Sequence, residues 1–160
     1  MVKNILILNM TRMGDLIQST PLIEGLHKKY PQAEITMIVS SDFAEFAKRI
    51  PHVKENIVFN LRQFNERSAQ RDICWVEIYR YLQNFLETLA PRKYDLVVNL
   101  SHSKLSALMI AYLKFKNVRG FMCDETGNRK TEHPWMQYFG TEPFNKFWMR
   151  FCSFHNIAFK

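Results

Sequence analysis

An open α/β sheet, parallel and doubly wound with helices on both faces, follows from three features of the sequence. Short apolar runs, partly β-branched, recur along the chain, as in strands buried on both faces. Segments with helical period lie between them, and the two alternate at about 30 residues per unit, the length of a β-α-β crossover.

Taken in order, the strands are Ile5-Leu6-Ile7-Leu8, Ile35-Thr36-Met37-Ile38-Val39, Ile57-Val58-Phe59 and Leu96-Val97-Val98, with Val118 to Phe121 as a fifth. Thr20-Pro21 pairs a good cap with the residue preferred at the first helical position, so a regular helix starting there leaves Gly14 to Ser19 as a separate turn. Phe43, Phe46, Ala47 and Ile50 repeat at i, i+3, i+4, i+7. Ile73, Val76, Leu82, Phe85, Leu86 and Leu89 form a second stripe, and Leu105, Leu108, Met109, Tyr112 and Leu113 a third. Pro31, Pro51 and Pro91 follow the ends of helical segments, where a missing N–H and a restricted preceding residue stop a helix. Residues 122 to 160 change character, from the polar Asp124 to Lys130 stretch to an aromatic helical stripe of Phe144, Phe147, Trp148, Phe151 and Phe154. The stripe is expected to pack back on the sheet as a core helix. No internal repeat and no dividing linker is visible.

Ligands of such sheets bind outside the C-terminal ends of the strands. The loops to inspect are therefore Asn9 to Asp15, Ser40 to Asp42, Asn60 to Asp72, Leu100 to Lys104 and Met122 to Asn145.

Composition narrows the partners. The 160 residues are 47% apolar and 23% charged, which excludes disorder and low complexity. A net charge of +7 favours partners carrying phosphates or carboxylates. The excess lies late, with +1 over residues 1 to 60 and +6 over residues 61 to 160. Cys74, Cys123 and Cys152 have no C-x-x-C spacing, against a disulfide scaffold or structural zinc and in favour of a reducing, cytosolic compartment. The histidines are scattered without H-E-x-x-H or paired spacing, so no metal site is expected; His102, in the loop after the fourth strand, reads as a polar loop residue. The apolar runs are too short for a signal peptide or a membrane span. Asn9-Met10-Thr11 and Asn99-Leu100-Ser101 are formal glycosylation sequons, without meaning in a cytosolic chain.

The first strand runs into Asn9-Met10-Thr11-Arg12-Met13-Gly14-Asp15-Leu16. One glycine and a carboxylate make no phosphate cradle, which needs several glycines and no negative charge, so a dinucleotide is not expected here. From the residues alone Asp15 has two readings: a helix N-cap, favoured by the dipole, or a general base facing a substrate in the crevice.

Ile5-Leu6-Ile7, Met13-Gly14-Asp15-Leu16-Ile17-Gln18-Ser19-Thr20-Pro21-Leu22, Leu26 and Tyr30-Pro31-Gln32-Ala33-Glu34-Ile35-Thr36 strongly resemble the start of glycosyltransferase family 9, the ADP-heptose:lipopolysaccharide heptosyltransferases. Tyr94-Asp95-Leu96-Val97-Val98-Asn99-Leu100, Ser101 to Leu108 and Arg119-Gly120-Phe121 also look like the family, so the resemblance covers roughly residues 3 to 121 with gaps. It implies a GT-B enzyme, two facing Rossmann-like domains, of which residues 1 to 160 supply the N-terminal, acceptor-binding one. The C-terminal donor domain is absent from this chain, and the fragment alone is expected to be inactive. The implied reaction is inverting and metal-independent, needs no cofactor and uses ADP-heptose as donor substrate. The family's base matches Asp15. The implied acceptor is the lipopolysaccharide inner core, at the cytosolic face of the bacterial inner membrane, where a basic surface would hold the enzyme near anionic lipid.

An acceptor of acidic sugars and phosphates suits forked guanidinium donors. Arg62, Arg67 and Arg71 follow the third strand, Arg12, Met13 and Gly14 belong to the first turn, and Lys104 follows the fourth strand. These are the expected acceptor-binding residues, against the simpler reading of the arginines as a solvated loop paired with Glu66 and Asp72. A free-standing non-catalytic domain and a basic nucleic-acid-binding module are the alternatives. Against the latter stand the lack of a basic run and of an RNA motif, so nucleic acid is not an expected partner.

Overall fold

The computed structural model describes residues 2–69, 74–101 and 103–124, and the backbone of 129–131. The chain divides into two compact units, Met1–Arg129 and Lys130–Lys160, and the sheet strands β1 to β5 and the site lie in the first. Its elements run β1 (Asn4–Asn9), α1 (Met13–Gln18), α2 (Thr20–Lys29), β2 (Glu34–Ser40), a 3-10 turn (Ser41–Phe43), α3 (Ala44–Ala47), β3 (Val53–Phe59), α4 (Leu61–Ser68), α5 (Trp75–Leu89), β4 (Leu96–Asn99), α6 (Lys104–Tyr112) and β5 (Val118–Cys123). A last short strand spans Arg129–Thr131. The aromatic stripe from Phe144 to Phe154 lies outside the described residues.

Five parallel strands stand in the order β3-β2-β1-β4-β5. The chain thus winds outward from β1 to β3, crosses back to β4 beside β1, and continues to β5. The order reverses between β1 and β4, so the connections leaving these two neighbours part to opposite sides and open a crevice. The expected fold class is the one observed. The sheet is closed on both faces. Ile5, Ile7, Met37, Val39 and Val98 join Leu16, Ile23 and Ala47 on the face of α1 to α3. Leu6, Leu8, Ile38 and Val97 join Leu86, Leu89, Met109 and Ile110 on the other.

Three expectations are corrected. The Asn60 to Asp72 stretch is no simple loop: Leu61–Ser68 is a helix, started by the Asn60 side chain, which accepts from the Gln63 N–H at 2.9 Å. β3 is an edge strand and carries exposed Lys54 and Glu55, so it is not buried on both faces. The stripe from Phe43 to Ile50 supports only a single turn of helix, because Ile50 already belongs to the turn before Pro51.

At Gly120, φ is +95°, and a Cβ there would overlap the Asn99 carbonyl oxygen across the β4–β5 pair. Only glycine allows both that dihedral and that approach.

Candidate active site at the sheet reversal

Between β1 and α1 the chain turns through Met10, Thr11 and Arg12. Arg12 is the N-cap, extended at φ −144°, and makes no side-chain capping bond. Asp15 is therefore the third residue of α1, and the capping alternative for it is corrected. Its carboxylate instead accepts from the Thr11 hydroxyl, 3.0 Å from Oδ2, while its backbone oxygen accepts from Asn9 Nδ2 at 3.0 Å. Among the described residues no protein donor is bonded to Oδ1. Leu16, fully buried, anchors the turn in the core. Gly14 has open space where a Cβ would stand, so the fold does not require a glycine there.

The expected separate turn before Thr20 is the short helix α1. It ends at Ser19, whose hydroxyl donates to the Leu16 carbonyl at 2.6 Å and whose N–H donates to Asp15 O at 3.0 Å, before α2 starts with Thr20 and Pro21. Asp15, Gln18, Ser19 and Leu22, with Leu100 from the loop after β4, line a cleft of about 260 Å³. The cleft draws on both sides of the sheet reversal, as an open α/β sheet requires of its ligand site.

A buried polar network fixes the two loops to each other. The Met10 N–H donates to Ser101 Oγ at 2.8 Å, and the Ser101 N–H donates to Asn99 Oδ1 at 3.1 Å. Asn99 Nδ2 donates to Ser106 Oγ at 3.1 Å and to the Phe121 carbonyl at 2.8 Å. Ser103 caps α6, its Oγ accepting from the Ser106 N–H at 3.2 Å. Asn9, Asn99, Ser101 and Ser106 are all buried, and Asn9 Oδ1 has no protein partner. Since a buried amide without its bonds is costly, these four side chains hold the mouth in one arrangement. The two sequon triplets thus mark a structural feature: each supplies a buried strand-end Asn, together with the Thr11 hydroxyl that meets Asp15 or the Ser101 hydroxyl that meets Met10.

The expected cations divide. Arg12, Met13 and Gly14 are exposed beside Asp15, and Lys104 is exposed as the first residue of α6, after β4. Arg62 lies on α4, two strands from β1 in the sheet order, about 10 Å at the usual strand spacing. Its Nε donates to Glu66 Oε1 at 2.9 Å, the local pairing of the simpler reading. That bond, together with the charges of Glu66 and Asp42, raises its pKa. Arg67 is exposed at the end of the same helix. Arg71 and His102 lie outside the described residues. Thr11 and Leu100 lie in two of the loops marked for inspection without having been singled out, and Gln18, Ser19 and Leu22 lie outside those loops. A cleft of this kind can dock a hydroxyl against a carboxylate whose other oxygen is already held.

No family model matches the chain. Among curated proteins it is 25% identical over 100 residues to lipopolysaccharide heptosyltransferase 3 of Escherichia coli, covering 62% of this chain and 27% of that protein. It is 30% identical over 101 residues to the protein of the same name from strain K12, covering 62% and 26%. The match thus spans about a quarter of the length of these curated relatives. Among solved structures, Escherichia coli heptosyltransferase WaaC with ADP-2-deoxy-2-fluoro heptose superposes with a TM-score of 0.59 at 20% identity, over 85% of this chain and 40% of that one. A glycosyl transferase family 9 structure from Veillonella parvula gives 0.54 at 24% identity, over 71% and 30%. Over about 100 residues the sequence is thus similar to that of lipopolysaccharide heptosyltransferases, and the fold is similar to that of a heptosyltransferase and of a glycosyl transferase family 9 protein.

Proposed function

We propose that residues 1 to 160 are the N-terminal, acceptor-side domain of an inverting, metal-independent GT-B glycosyltransferase that moves heptose from ADP-heptose to the lipopolysaccharide inner core. The observation that carries the reading is Asp15, set in the cleft at the sheet reversal with Oδ2 engaged by Thr11. Asp15 is the general base. An acceptor hydroxyl docks against Oδ1 and gives up its proton as its oxygen attacks the anomeric carbon in line. The bond from that carbon to the diphosphate breaks, and ADP leaves with the electron pair. A donor domain, supplied by further polypeptide, holds ADP-heptose across the cleft, so residues 1 to 160 alone turn over no substrate. Arg12, Met13, Gly14 and Lys104 border the acceptor, and Arg62, Arg67 and Arg71 extend its anion-binding surface. The place of work is the cytosolic face of the inner membrane.

The reading is tested by titrating the chain with lipopolysaccharide inner-core oligosaccharide, with ADP and with single-stranded RNA at low salt. Saturable binding of the oligosaccharide, weakened severalfold by Arg67→Glu, with little binding of ADP, supports it. Tight RNA binding with a steep salt slope, and none of the oligosaccharide, overturns it.

A further inference from the structure

We infer that Gln18 selects the acceptor, and that the sugar carrying the attacked hydroxyl is a neutral pyranose rather than an acidic one. The inference rests on the acceptor reading of the Asp15 cleft and names the class of sugar that enters it. Gln18 stands three residues after Asp15 on α1, and residues three apart on a helix are neighbours, with about 5–6 Å between their Cβ atoms. Both line the cleft. A hydroxyl docked on Asp15 Oδ1 therefore has its neighbour on the same ring within reach of the Gln18 carboxamide, which offers two N–H donors and an acceptor oxygen. Among the described residues no protein group is hydrogen-bonded to that carboxamide. Ser19, the other polar residue of the lining, is buried and already donates its hydroxyl to the Leu16 carbonyl at 2.6 Å. Hydrogen bonding to a ligand thus rests with the free oxygen of Asp15 and with Gln18.

Charge and shape point the same way. The lining carries the Asp15 carboxylate and, among the described residues, no cation, since Arg12 and Lys104 stand outside it. A sugar carboxylate drawn into this space would face Asp15 with no opposite charge to offset it, and like charges repel more strongly as water is excluded. The hydroxyls of a neutral sugar meet no such repulsion. The rest of the lining is apolar: Leu22, 37% exposed, comes from α2, and Leu100 from the loop after β4. A pyranose has a C–H face as well as a hydroxyl edge, so it can lay the first on the two leucines while the second meets Asp15 and Gln18. At about 260 Å³ the cleft lies just under the range, from about 300 Å³ upward, that takes drug-sized ligands, and so holds one ring rather than two. The acidic groups of the acceptor are then left to the cations outside the lining, Arg12 and Lys104 first.

Two inner-core oligosaccharides, one ending in heptose and one cut back to its acidic ulosonic sugars, test the inference when titrated into the chain and followed by NMR. The heptose-ended one should bind more tightly and shift the side-chain amide resonances of Gln18. Gln18→Leu, at an exposed position without a protein partner, should keep the circular dichroism and weaken the heptose-ended oligosaccharide about three- to tenfold, the range expected for one lost hydrogen bond, while leaving the acidic one unchanged. Gln18→Arg sets a cation beside Asp15 and should narrow or reverse the preference. A wild type that prefers the acidic oligosaccharide, an unshifted Gln18 amide, an unchanged preference in Gln18→Arg, or Gln18→Leu binding both like the wild type overturns the inference and leaves the acceptor reading standing. Binding of neither oligosaccharide sinks the acceptor reading, and this inference with it.

Discussion

The hydroxyl of Thr11 donates to Asp15 Oδ2 across 3.0 Å, within a turn that buried side chains hold from both strands flanking the crevice. The bond fixes the plane of the carboxylate and leaves one oxygen for a substrate hydroxyl. In the complete transferase, Asp15→Asn keeps an acceptor for Thr11 and the same volume, so it should preserve the melting temperature and acceptor binding. Turnover should fall by about 10²- to 10⁴-fold, the usual contribution of a general base. Activity near that of the wild type would remove Asp15 from the chemistry.

Asn99 ties β4, β5 and the loop after β4 through its amide. Its Nδ2 serves Ser106 and Phe121, and its Oδ1 serves Ser101. Asn99→Ala deletes all three bonds in a buried setting. At about 1 kcal/mol net for each, the loss should be about 3 kcal/mol, read as a lower denaturant midpoint with unchanged slope. Loss of the Ser101 anchor should also speed hydrogen exchange at the Met10 amide, whose partner is Ser101 Oγ. Unchanged exchange at Met10 would show that the two loops are held independently.

The fold was legible in the sequence wherever strands are central. Ile5 to Leu8 is an unbroken apolar run, and Ile35 to Val39 is interrupted only by the buried Thr36, because β1 and β2 have neighbours on both sides and helices on both faces. β3 was only half legible, since at the sheet edge Lys54 and Glu55, its second and third residues, face water and break the run. α4 was missed because Leu61–Ser68 buries no residue fully; its signals were the Asn60 cap and the Leu61/Phe64 spacing. Asp15 was expected in the crevice and does line the cleft there, but the capping alternative failed because Arg12 occupies the cap position. The polar network escaped because contacts such as Met10 to Ser101, 91 residues apart, leave no local periodicity.

Gly120→Ala should cost about 1–3 kcal/mol from the positive φ alone, and more from the overlap with the Asn99 carbonyl. Gly14→Ala, where a Cβ meets open space, should leave stability within about 0.5 kcal/mol. The pair separates a glycine kept for the fold from one standing beside the cleft. If Gly14→Ala keeps the melting temperature but weakens binding of the oligosaccharide, the space above Gly14 is occupied by ligand. If both substitutions are equally destabilising, Gly14 too is structural.

Acid should loosen the sheet at the edge opposite the cleft. Asp95 Oδ2 accepts from the backbone N–H groups of Lys3 and Asn4, at 2.7 and 2.9 Å, and these bonds hold its pKa below the ordinary 3.8. Glu55, bridged by both terminal nitrogens of Arg92, likewise lies below its ordinary 4.5. A carboxyl with a depressed folded-state pKa contributes stability that is fully present above its unfolded value and lost as pH falls through the folded one. Glu55 and Arg92 are both more than a third exposed, so solvent screening leaves their pair no more than about 1 kcal/mol. The melting temperature should therefore hold near neutrality and fall below about pH 4. Asp95→Asn should melt lower than the wild type near neutrality, and the gap should narrow as pH falls below the ordinary 3.8 and the native carboxyl protonates. A gap that stays constant across that range would mean that the contacts of Asp95 stabilise the fold without its charge.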